Sequence, residues 1–457
     1  MRTSIFVVSD LHLGGAEGFR MCEAKGRARL AELFRWIRDQ ATDSLRPHIV
    51  IAGDIVDFLA EEPYVAFTDK EDEAVRKLDR ILEASDEIWS ALELAAVRCS
   101  ITLMLGNHDV ELSLPKPRRR LLERIGRPVE FLYDNEAFTH GALLIEHGNR
   151  YEGWNVVDHD ALRKARSLLS RGEPGAAFPT QPGSELVVRV MNRIKRAYPW
   201  VDLLKPETAS VIPILSALGV SPWAVAAQAT KAAAAAAWRQ SQFAADGTPT
   251  SSRFIAETPE PRDSPQPVTH PLDDLEDVFA VFDRVPETAL AERGDGRMVA
   301  EGAMNIREEL LFRGLRRWGE KDNRSFKVEE ENKIYRVAAE KLVAQGGYKV
   351  VVFGHTHHAK RIALKNGGLY LNTGTWADVM RIPEEVFSAE EPVARSAFGD
   401  FMTALKTDVS DLRRLIPTFA KIDFDAAGEL TAADVLFFDQ GGTTTPISTQ
   451  EIMRRLA

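Results

Sequence analysis

Cysteine is scarce in this sequence, because the 457 residues include only Cys22 and Cys99. Two cysteines without metal-ligand spacing exclude both a disulfide framework and a thiolate metal site. Such a low content suits a reducing compartment, and we expect both thiols to be packing residues.

Positive charge is also in deficit, with 58 Lys and Arg against 68 Asp and Glu and a formal net charge of −10. This balance argues against nucleic-acid binding over the whole surface but leaves a local basic groove open. The N-terminal run MRTSIFVVSD is too short for a secretory signal and reads as the first core strand.

Long apolar runs are nearly absent, and the uncharged segment 208–230 (TASVIPILSALGVSPWAVAAQAT) is the exception. It has about the length of a bilayer-spanning helix, but its Pro, Gly, Ala and Ser content makes it weakly hydrophobic. Three interpretations stay open: two short packed helices, a surface that meets lipid or an apolar substrate, and a true span. The first is favoured, so we expect a cytoplasmic protein, with peripheral contact at the inner membrane face as an alternative.

Apolar strands with abrupt polar exits make up two groups. The first group covers 4–12, 48–57, 100–109 and 142–150, and helical patterns at 27–40 and about 69–97 lie between its first three members. This alternation predicts βαβ units in a layered α/β protein. The second group begins at 348–358, and the glycines of Asn366-Gly367-Gly368 then predict a hairpin within 361–376.

The two groups are separated by a long, mostly helical insertion. Helical patterns occur near 158–171, 184–204, 208–240 and 301–345, and a Pro-, Ser- and Thr-rich stretch at 246–271 predicts a flexible linker. We therefore expect a core whose first half is 1–151, an insertion at 152–345 that acts as a lid or cap, and a second core half at 346–457. The last part should hold a helix at about 396–414 and a hairpin.

Five short polar motifs follow these strands directly. They are Asp10-Leu11-His12, Gly53-Asp54-Ile55-Val56-Asp57, Gly106-Asn107-His108-Asp109, His147-Gly148 and Gly354-His355-Thr356-His357. Strands that share a sheet bring their exits to one edge, so carboxylates, imidazoles and one amide should converge. Oxygen and nitrogen donors without thiolate suit Mn²⁺, Fe²⁺ or Zn²⁺.

This set of motifs resembles the calcineurin-like metallophosphoesterases, over about residues 1–152 and 346–380. The resemblance implies a four-layer α/β/β/α sandwich with a large helical insertion. It implies one metal held by Asp10, His12, Asp54 and His357, and a second held by Asp54, Asn107, His147 and His355. His108 matches the family's non-ligand histidine, which protonates the leaving group or stabilises the transition state, and Asp57 matches the carboxylate that orients it. The nearest branch is that of UDP-2,3-diacylglucosamine pyrophosphatases, although Thr375 stands where that branch usually carries an acid.

The chemistry of phosphoester hydrolysis requires such a set. Two cations lower the pKa of a bridging water and clamp the attacking and leaving oxygens, while a histidine supplies the leaving group's proton. We therefore expect a phosphoesterase with two divalent ions, Mn²⁺ first and Fe²⁺ or Zn²⁺ as alternatives. Its substrate would be a small nucleotide- or lipid-linked phosphodiester, phosphomonoester or pyrophosphate, attacked by a metal-bridging hydroxide. A metal-dependent DNA or RNA nuclease and a non-catalytic scaffold remain the alternatives.

Several neighbouring residues have weaker patterns. Substrate contacts are predicted at Asn149, Asn155 and His358, which lie beside the motifs. Asp158 is predicted to cap a helix, because Asp is favoured at the position before the first turn. Arg118 to Arg120 either bind phosphate or face solvent. Asp423, Asp425, Gly428 and Asp434 match a calcium loop only in part, and their strand-like flanks favour a hairpin.

Overall fold

The fold was analysed in a computed structural model, which describes residues 1–16, 19–196, 198–204, 308–309, 311–313, 316 and 326–456. The uncharged segment 208–230, the linker 246–271 and the helix expected at 208–240 lie outside these residues. So does much of the helical pattern at 301–345.

The strands in chain order are β1 (Arg2–Val8), β2 (Leu45–Ala52), β3 (Ser100–Met104), β4 (Glu130–Leu132), β5 (Phe138–His140), β6 (Leu143–Ile145), β7 (Val350–Phe353), β8 (Ala359–Ala363), β9 (Leu369–Thr373), β10 (Val379–Met380), β11 (Arg413–Arg414), β12 (Thr418–Phe424), β13 (Leu430–Phe438) and β14 (Thr444–Pro446). A seven-stranded sheet has the order β14-β13-β12-β1-β2-β3-β4, and a five-stranded sheet has the order β5-β6-β7-β9-β8. Strands β1 to β4 are mutually parallel, as are β6, β7 and β9.

The α-helices with described bounds are α1 (Ala24–Asp39), α2 (Glu71–Ala84), α3 (Asp86–Ala95), α4 (Pro115–Ile125), α5 (His159–Leu169), α6 (Pro182–Leu186), α7 (Asn192–Lys195), α8 (Lys333–Gly346), α9 (Glu391–Thr407) and α10 (Thr449–Leu456). None of the helices in the part of the chain that the structure describes is both long enough and apolar enough to cross a membrane.

Alternating residues of the central strands serve two different cores, because successive strand side chains point to opposite faces. Phe6 and Val8 pack with helices α1 to α4 on one face of the larger sheet. Ile5 and Val7 pack against Val350 and the rest of the smaller sheet on the other face. The strands therefore read as continuous apolar runs, as expected for a parallel sheet covered on both faces.

Helix α8 packs on the far side of the smaller sheet. Its Tyr335 and Ala339 share a buried cluster with Val351, Phe353 and Tyr370. Helix α8 thus belongs to the core directly before β7.

The structure moves three predicted helix boundaries. The pattern at 69–97 is divided into α2 and α3 at Ser85, whose hydroxyl donates to the Ile81 carbonyl and accepts from Trp89, a side-chain bond of the kind that bends helices. The helix expected at 396–414 is α9, which ends at Thr407 before the short strand β11. The helix expected at 184–204 is interrupted by a π-helical turn at Val187–Met191 and its last α-helical residue is Lys195, shortly before Pro199.

Other sequence expectations are confirmed. The Asn366-Gly367-Gly368 turn joins β8 and β9, which pair antiparallel. The partial calcium-loop pattern is the turn of the β12–β13 hairpin, in which Asp425 Oδ1 accepts from the backbone N–H groups of Ala427 and Glu429. Both cysteines are buried and free.

Candidate metal centre

The five polar motifs meet where the two sheets present the carboxyl ends of their parallel strands. Asp10, Asp54 and Asn107 follow β1, β2 and β3, while His147 and His355 follow β6 and β7. The carboxyl ends of adjacent parallel strands lie at one edge of a sheet, and ligands bind outside that edge. Residues up to 345 positions apart in the chain, such as Asp10 and His355, are consequently in contact.

One group of donor atoms consists of Asp10, His12 and His357, which lie within metal-binding reach of one another. The two imidazole Nε2 atoms of His12 and His357 are 2.9 Å apart, and His357 Nε2 is 3.4 Å from Asp10 Oδ1. Asp54 Oδ2 lies 3.8 Å from His12 Nε2 at the border of this group.

A second group consists of Asp54, His147 and His355. His147 Nε2 lies 3.2 Å from Asp54 Oδ2 and 3.3 Å from Asn107 Oδ1. Its other nitrogen, Nδ1, is 2.8 Å from the Ala52 carbonyl, which can only accept. His147 therefore donates through Nδ1 and directs Nε2 at the carboxylate and the amide.

Backbone strain is concentrated at this centre. Positive φ angles occur at Asp10 (53°), His12 (44°), Asp54 (49°), His355 (69°) and His357 (61°). Residues with a β-carbon rarely adopt this left-handed region, and such strain is typical of functional sites. The strained turns are held together by backbone bonds, because the N–H groups of Leu11 and His12 both donate to the Asp54 carbonyl.

The glycine before Asn107 is required by close packing. A β-carbon at Gly106 would lie 2.0 Å from Asp54 Oδ1 and 2.4 Å from Asp54 N. Only a residue without a side chain lets the end of β3 approach the Asp54 carboxylate. The apolar run of β3 therefore gives way to glycine where the chain passes over a predicted ligand.

The buried carboxylates have histidines as their charged neighbours. Burial would raise the pKa of Asp10, but His357 and His147 outweigh it and lower that pKa to about 2. Burial likewise opposes ionisation of Asp54, yet His147 and His108 hold its pKa well below the ordinary value. Asp54 in turn raises the pKa of His147 to about 9, although burial of the imidazole acts in the opposite direction.

His108 and Asp57 form a pair beside the first group. His108 Nδ1 lies 3.2 Å from Asp57 Oδ1, and the His108 side chain is 18% exposed against 5% for Asp57. Burial would raise the pKa of Asp57, but His108 outweighs it and holds that pKa far below the ordinary value. The carboxylate also accepts from Leu59 N, which fixes its position. The His108 imidazole is thus held by a fixed carboxylate and is partly exposed to solvent.

The three predicted substrate contacts are half-buried, and two of them, Asn149 and His358, share pockets with predicted ligands. Asn149 lines a small pocket together with His147, and its amide donates to the Asn155 carbonyl at 2.8 Å. His358 lines a different, largely apolar pocket beside His357, and its ring meets Phe326 edge to face at 5.1 Å.

Other polar residues beside the motifs have contacts within the fold. Asp158 caps α5 through a bond from Ala161 N, as predicted. Asp109 supports the loop by accepting from Ile55 N and Gly106 N. Arg118 lies 3.9 Å from the ring centre of Tyr133, and Arg120 pairs with Asp79 at 2.6 Å.

Four supporting residues were not found from the sequence. Ser9 Oγ donates to Asp10, Thr375 Oγ1 donates to the Asp10 carbonyl at 2.8 Å, and Asn372 Nδ2 donates to the Gly354 carbonyl at 2.6 Å. Glu152 Oε2 lies 3.0 Å from His355 Nε2. A carboxylate five residues after His147 was the available signal for Glu152, whereas the hydroxyl and amide partners had no distinguishing pattern.

The donor set fits divalent cations. Asp10 and Asp54 are at most 1% exposed, and buried carboxylates require compensation by positive charge. The Nε2 atoms of His12 and His357 lie 2.9 Å apart beside a carboxylate. Mn²⁺, Fe²⁺ and Zn²⁺ accept such imidazole nitrogens and carboxylate oxygens as ligands. The Asp54 carboxylate belongs to the second group, and its Oδ2 lies 3.8 Å from His12 Nε2 of the first.

Fold and site together define a mixed α/β protein with a carboxylate–imidazole centre at the carboxyl ends of its parallel strands. Residues 3–195 match the calcineurin-like phosphoesterase family. This match implies a metal-dependent phosphoester hydrolase, and the mixed sheets are consistent with a metallophosphoesterase fold. Members of the family generally bind two divalent metals, for which this chain has candidate ligand groups.

The matched stretch contains the motifs from Asp10 to His147 and ends before His355 and His357. The fold returns these two histidines to the same centre. None of the curated proteins compared with the chain matches it.

Proposed function

We propose that this chain is a dinuclear-metal-dependent phosphoesterase that hydrolyses a phosphodiester, phosphomonoester or pyrophosphate bond in a small nucleotide- or lipid-linked substrate. The observation that carries the proposal is the position of Asp54, whose Oδ2 lies 3.8 Å from His12 Nε2 and 3.2 Å from His147 Nε2. When bound, two divalent ions supply charge neutralisation and water activation for in-line displacement at phosphorus.

Each ion would have its own ligands and share Asp54. The first would be held by Asp10, His12, Asp54 and His357, and the second by Asp54, Asn107, His147 and His355. Support for this division comes from the Asp10–His12–His357 and Asp54–His147–His355 groups, which share no residue, and from the strained backbone at five of the proposed ligands. Mn²⁺ is the favoured ion, because the set contains carboxylate and amide oxygens beside the imidazoles.

His108 would donate the proton that the leaving oxygen needs. Its Nδ1 is held by Asp57 at 3.2 Å, which leaves Nε2 on the far side of the ring to face the substrate. A histidine is suited to this step because its ordinary pKa lies near neutrality. Asp57 would orient the ring and stabilise its protonated form.

Two of the three arginines that follow the third motif favour a small substrate over nucleic acid, whereas Arg119 between them is exposed. A nuclease groove needs free cations and exposed aromatic rings along its length. Here Arg118 is stacked on Tyr133 and Arg120 is paired with Asp79. These two side chains are therefore engaged within the fold.

We also propose further features of the fold that the sequence predicts. They include the four-layer α/β/β/α arrangement and the division into core halves 1–151 and 346–457 around an insertion at 152–345. Support for the layers comes from the buried clusters on both faces of each sheet. Three further proposals come from the sequence alone. They are a relationship to UDP-2,3-diacylglucosamine pyrophosphatases, a lipid contact at 208–230 and a cytoplasmic location.

Metal content and hydrolysis of an activated aryl phosphodiester test the proposal together. The unmodified chain loaded with Mn²⁺ should hold two ions and hydrolyse the ester. Asp54→Asn should lower occupancy at both sites and abolish turnover, because the shared carboxylate loses its charge. Asp425→Asn, in the β12–β13 turn, is the matched control and should retain both properties. Two bound ions that persist in Asp54→Asn would overturn the shared role of this residue.

A further inference from the structure

Glu152 connects one predicted metal ligand to a helix that lies far away in the sequence. Its Oε2 atom is 3.0 Å from His355 Nε2 and also 3.0 Å from the hydroxyl oxygen of Tyr335 in α8. Glu152 is separated from these partners by 203 and 183 residues, respectively. One carboxylate oxygen therefore contacts both a member of the second donor group and helix α8, which covers the outer face of the smaller sheet.

The direction of both hydrogen bonds follows from the chemistry of the partners. Burial and the charge of Glu152 raise the pKa of Tyr335 well above its ordinary value, so its hydroxyl keeps its proton. An ionised carboxylate only accepts, and the tyrosine therefore donates to it. By the same reasoning His355 donates through Nε2–H, which leaves the lone pair of the neutral imidazole on Nδ1.

Glu152 is held in a defined position from more than one side. The Tyr335 ring lies 6.3 Å from the His355 ring, and its side chain belongs to the buried cluster with Phe353 and Tyr370. The Glu152 side chain is 27% exposed, whereas His355 is only 7% exposed. The carboxylate thus reaches a buried imidazole from the rim of the site.

From this geometry we infer that Glu152 is a positioning residue for the second metal site, and that Tyr335 fixes it. The inference rests on the proposed function. The carboxylate selects the His355 tautomer whose Nδ1 can bind a cation, orients the ring and increases its basicity. Outer partners of this kind change metal affinity by about 10- to 100-fold when they are removed. Glu152 itself lies outside both donor groups around Asp54.

The test is a Mn²⁺ titration of the full-length chain after chelator treatment, with free Mn²⁺ followed by electron paramagnetic resonance. Glu152→Ala should weaken one of the two sites by about 10- to 100-fold and leave the other unchanged. Glu152→Gln retains an acceptor oxygen and should recover part of the lost affinity. Tyr335→Phe should give a smaller loss at the same site, because the carboxylate remains but is less constrained.

Tyr151→Phe is the matched control. Tyr151 belongs to the same buried cluster and donates to the carboxylate of Glu146 at 2.6 Å, and Glu146 forms an ion pair with Arg150. This variant should bind both ions like the unmodified chain. Melting of the metal-free variants separates a positioning role from a loss of fold, since Tyr151→Phe and Tyr335→Phe should be destabilised to a similar extent.

Three outcomes would overturn the inference. They are unchanged affinities in Glu152→Ala, equal weakening of both sites, and the same weakening in Tyr151→Phe as in Tyr335→Phe. If the unmodified chain binds two ions and is active while Glu152→Ala matches it, only the role of Glu152 falls. If the unmodified chain binds fewer than two ions, the proposed function falls as well.

Discussion

At the scale of single residues, His108 lies beside the predicted ligand His12 and is also within reach of Asp57. Its ring stands perpendicular to that of His12, with the centres 4.7 Å apart, and its Nδ1 is held by Asp57. If a residue donates a proton to the leaving group, its removal should slow hydrolysis most for the leaving groups that need a proton most. This dependence distinguishes an acid from a metal ligand.

His108→Ala should therefore affect substrates unequally. For an alkyl phosphoester, whose leaving alkoxide needs a proton, turnover should fall by about 10²- to 10⁴-fold. An activated aryl phosphodiester, whose leaving group is stable without a proton, should lose much less. Steady-state kinetics on both esters, with the metal content measured alongside, checks this prediction. Equal losses on the two esters would argue against the acid role.

A second residue-scale prediction concerns stability and is made for His48 in β2. Its Nε2 lies 2.8 Å from Thr102 Oγ1, which itself donates to Glu130. Burial lowers the pKa of His48 to about 4, although the charge of Glu130 acts in the opposite direction. The unfolded histidine has a pKa of about 6.5, so the unfolded chain binds more protons between these values. Stability is therefore lost as the pH falls through this window.

Replacing His48 by glutamine removes the titrating group. The difference in unfolding free energy between about pH 7.5 and about pH 5 should be smaller in His48→Gln than in the unmodified chain. Urea unfolding of both proteins in the presence of a chelator measures the two differences. Parallel pH dependences would show that His48 does not titrate as its buried position indicates.

At the scale of secondary-structure elements, the site depends on how closely the strand ends approach one another. The end of β3 passes over the carboxylate that follows β2, and the gap leaves no room for a β-carbon at Gly106. The end of β7 approaches β1 in the same way, since a β-carbon at Gly354 would lie 2.5 Å from Asp10 Oδ2. Both glycines are therefore part of the metal centre without being ligands.

Gly106→Ala should displace Asp54, because the added β-carbon would lie 2.0 Å from its Oδ1. We expect a destabilisation of about 1–3 kcal/mol, as for other overpacked sites, together with loss of metal at both positions. Gly399→Ala is the matched control, because nothing lies within 4 Å of its β-carbon and it is inside α9. It should stabilise the protein by about 0.5–1 kcal/mol. Chemical unfolding and metal analysis of the two variants test the contrast, and full metal content in Gly106→Ala would contradict it.

At the scale of the whole molecule, the predicted insertion at 152–345 begins and ends inside the core. Val157, just before helix α5, and Leu162, within it, pack against Val110 and Leu114. Further along, Asn192 donates to the Leu59 carbonyl, and at the other end α8 covers the smaller sheet. The parts of the insertion that adjoin the core therefore contribute to its stability.

Deletions of different lengths should separate these parts. Removing all of 152–345 should give an unstable protein, because the loss of α5 and α8 exposes apolar surface at Val110 and Leu114 and on the smaller sheet. Replacing only 209–302 by a Gly- and Ser-rich linker retains these contacts and the pairing of Leu204 with Met380. That variant should keep a cooperative thermal transition. If both deletions melt alike, the described ends of the insertion contribute little to stability.

The shorter deletion also tests the proposed lid. If activity on a small aryl ester rises when 209–302 is removed while larger substrates are lost, the segment controls access to the metals. Unchanged specificity would remove the lid interpretation.

The sequence by itself determined the strands and the residues at their ends. Apolar runs buried on both faces stop at Val8, Ala52, Met104 and Phe353, close to where the motifs begin. This information is local, since a strand, its glycine and the polar residues after it are contiguous in the chain. Asp158 was predictable for the same reason, because a helix cap involves only the first turn.

Only the tertiary structure decided which residues at the strand ends contact one another. Three contacts join residues that are distant in sequence. They are the bond between Glu152 and His355, the close approach of Gly106 to Asp54, and the hydrogen bond from Thr375 to the Asp10 carbonyl. Such contacts depend on the register and packing of two sheets, which no local pattern records. The left-handed backbone at Asp10, Asp54 and His357 is likewise imposed by this packing, because these residue types favour other conformations when the chain is free.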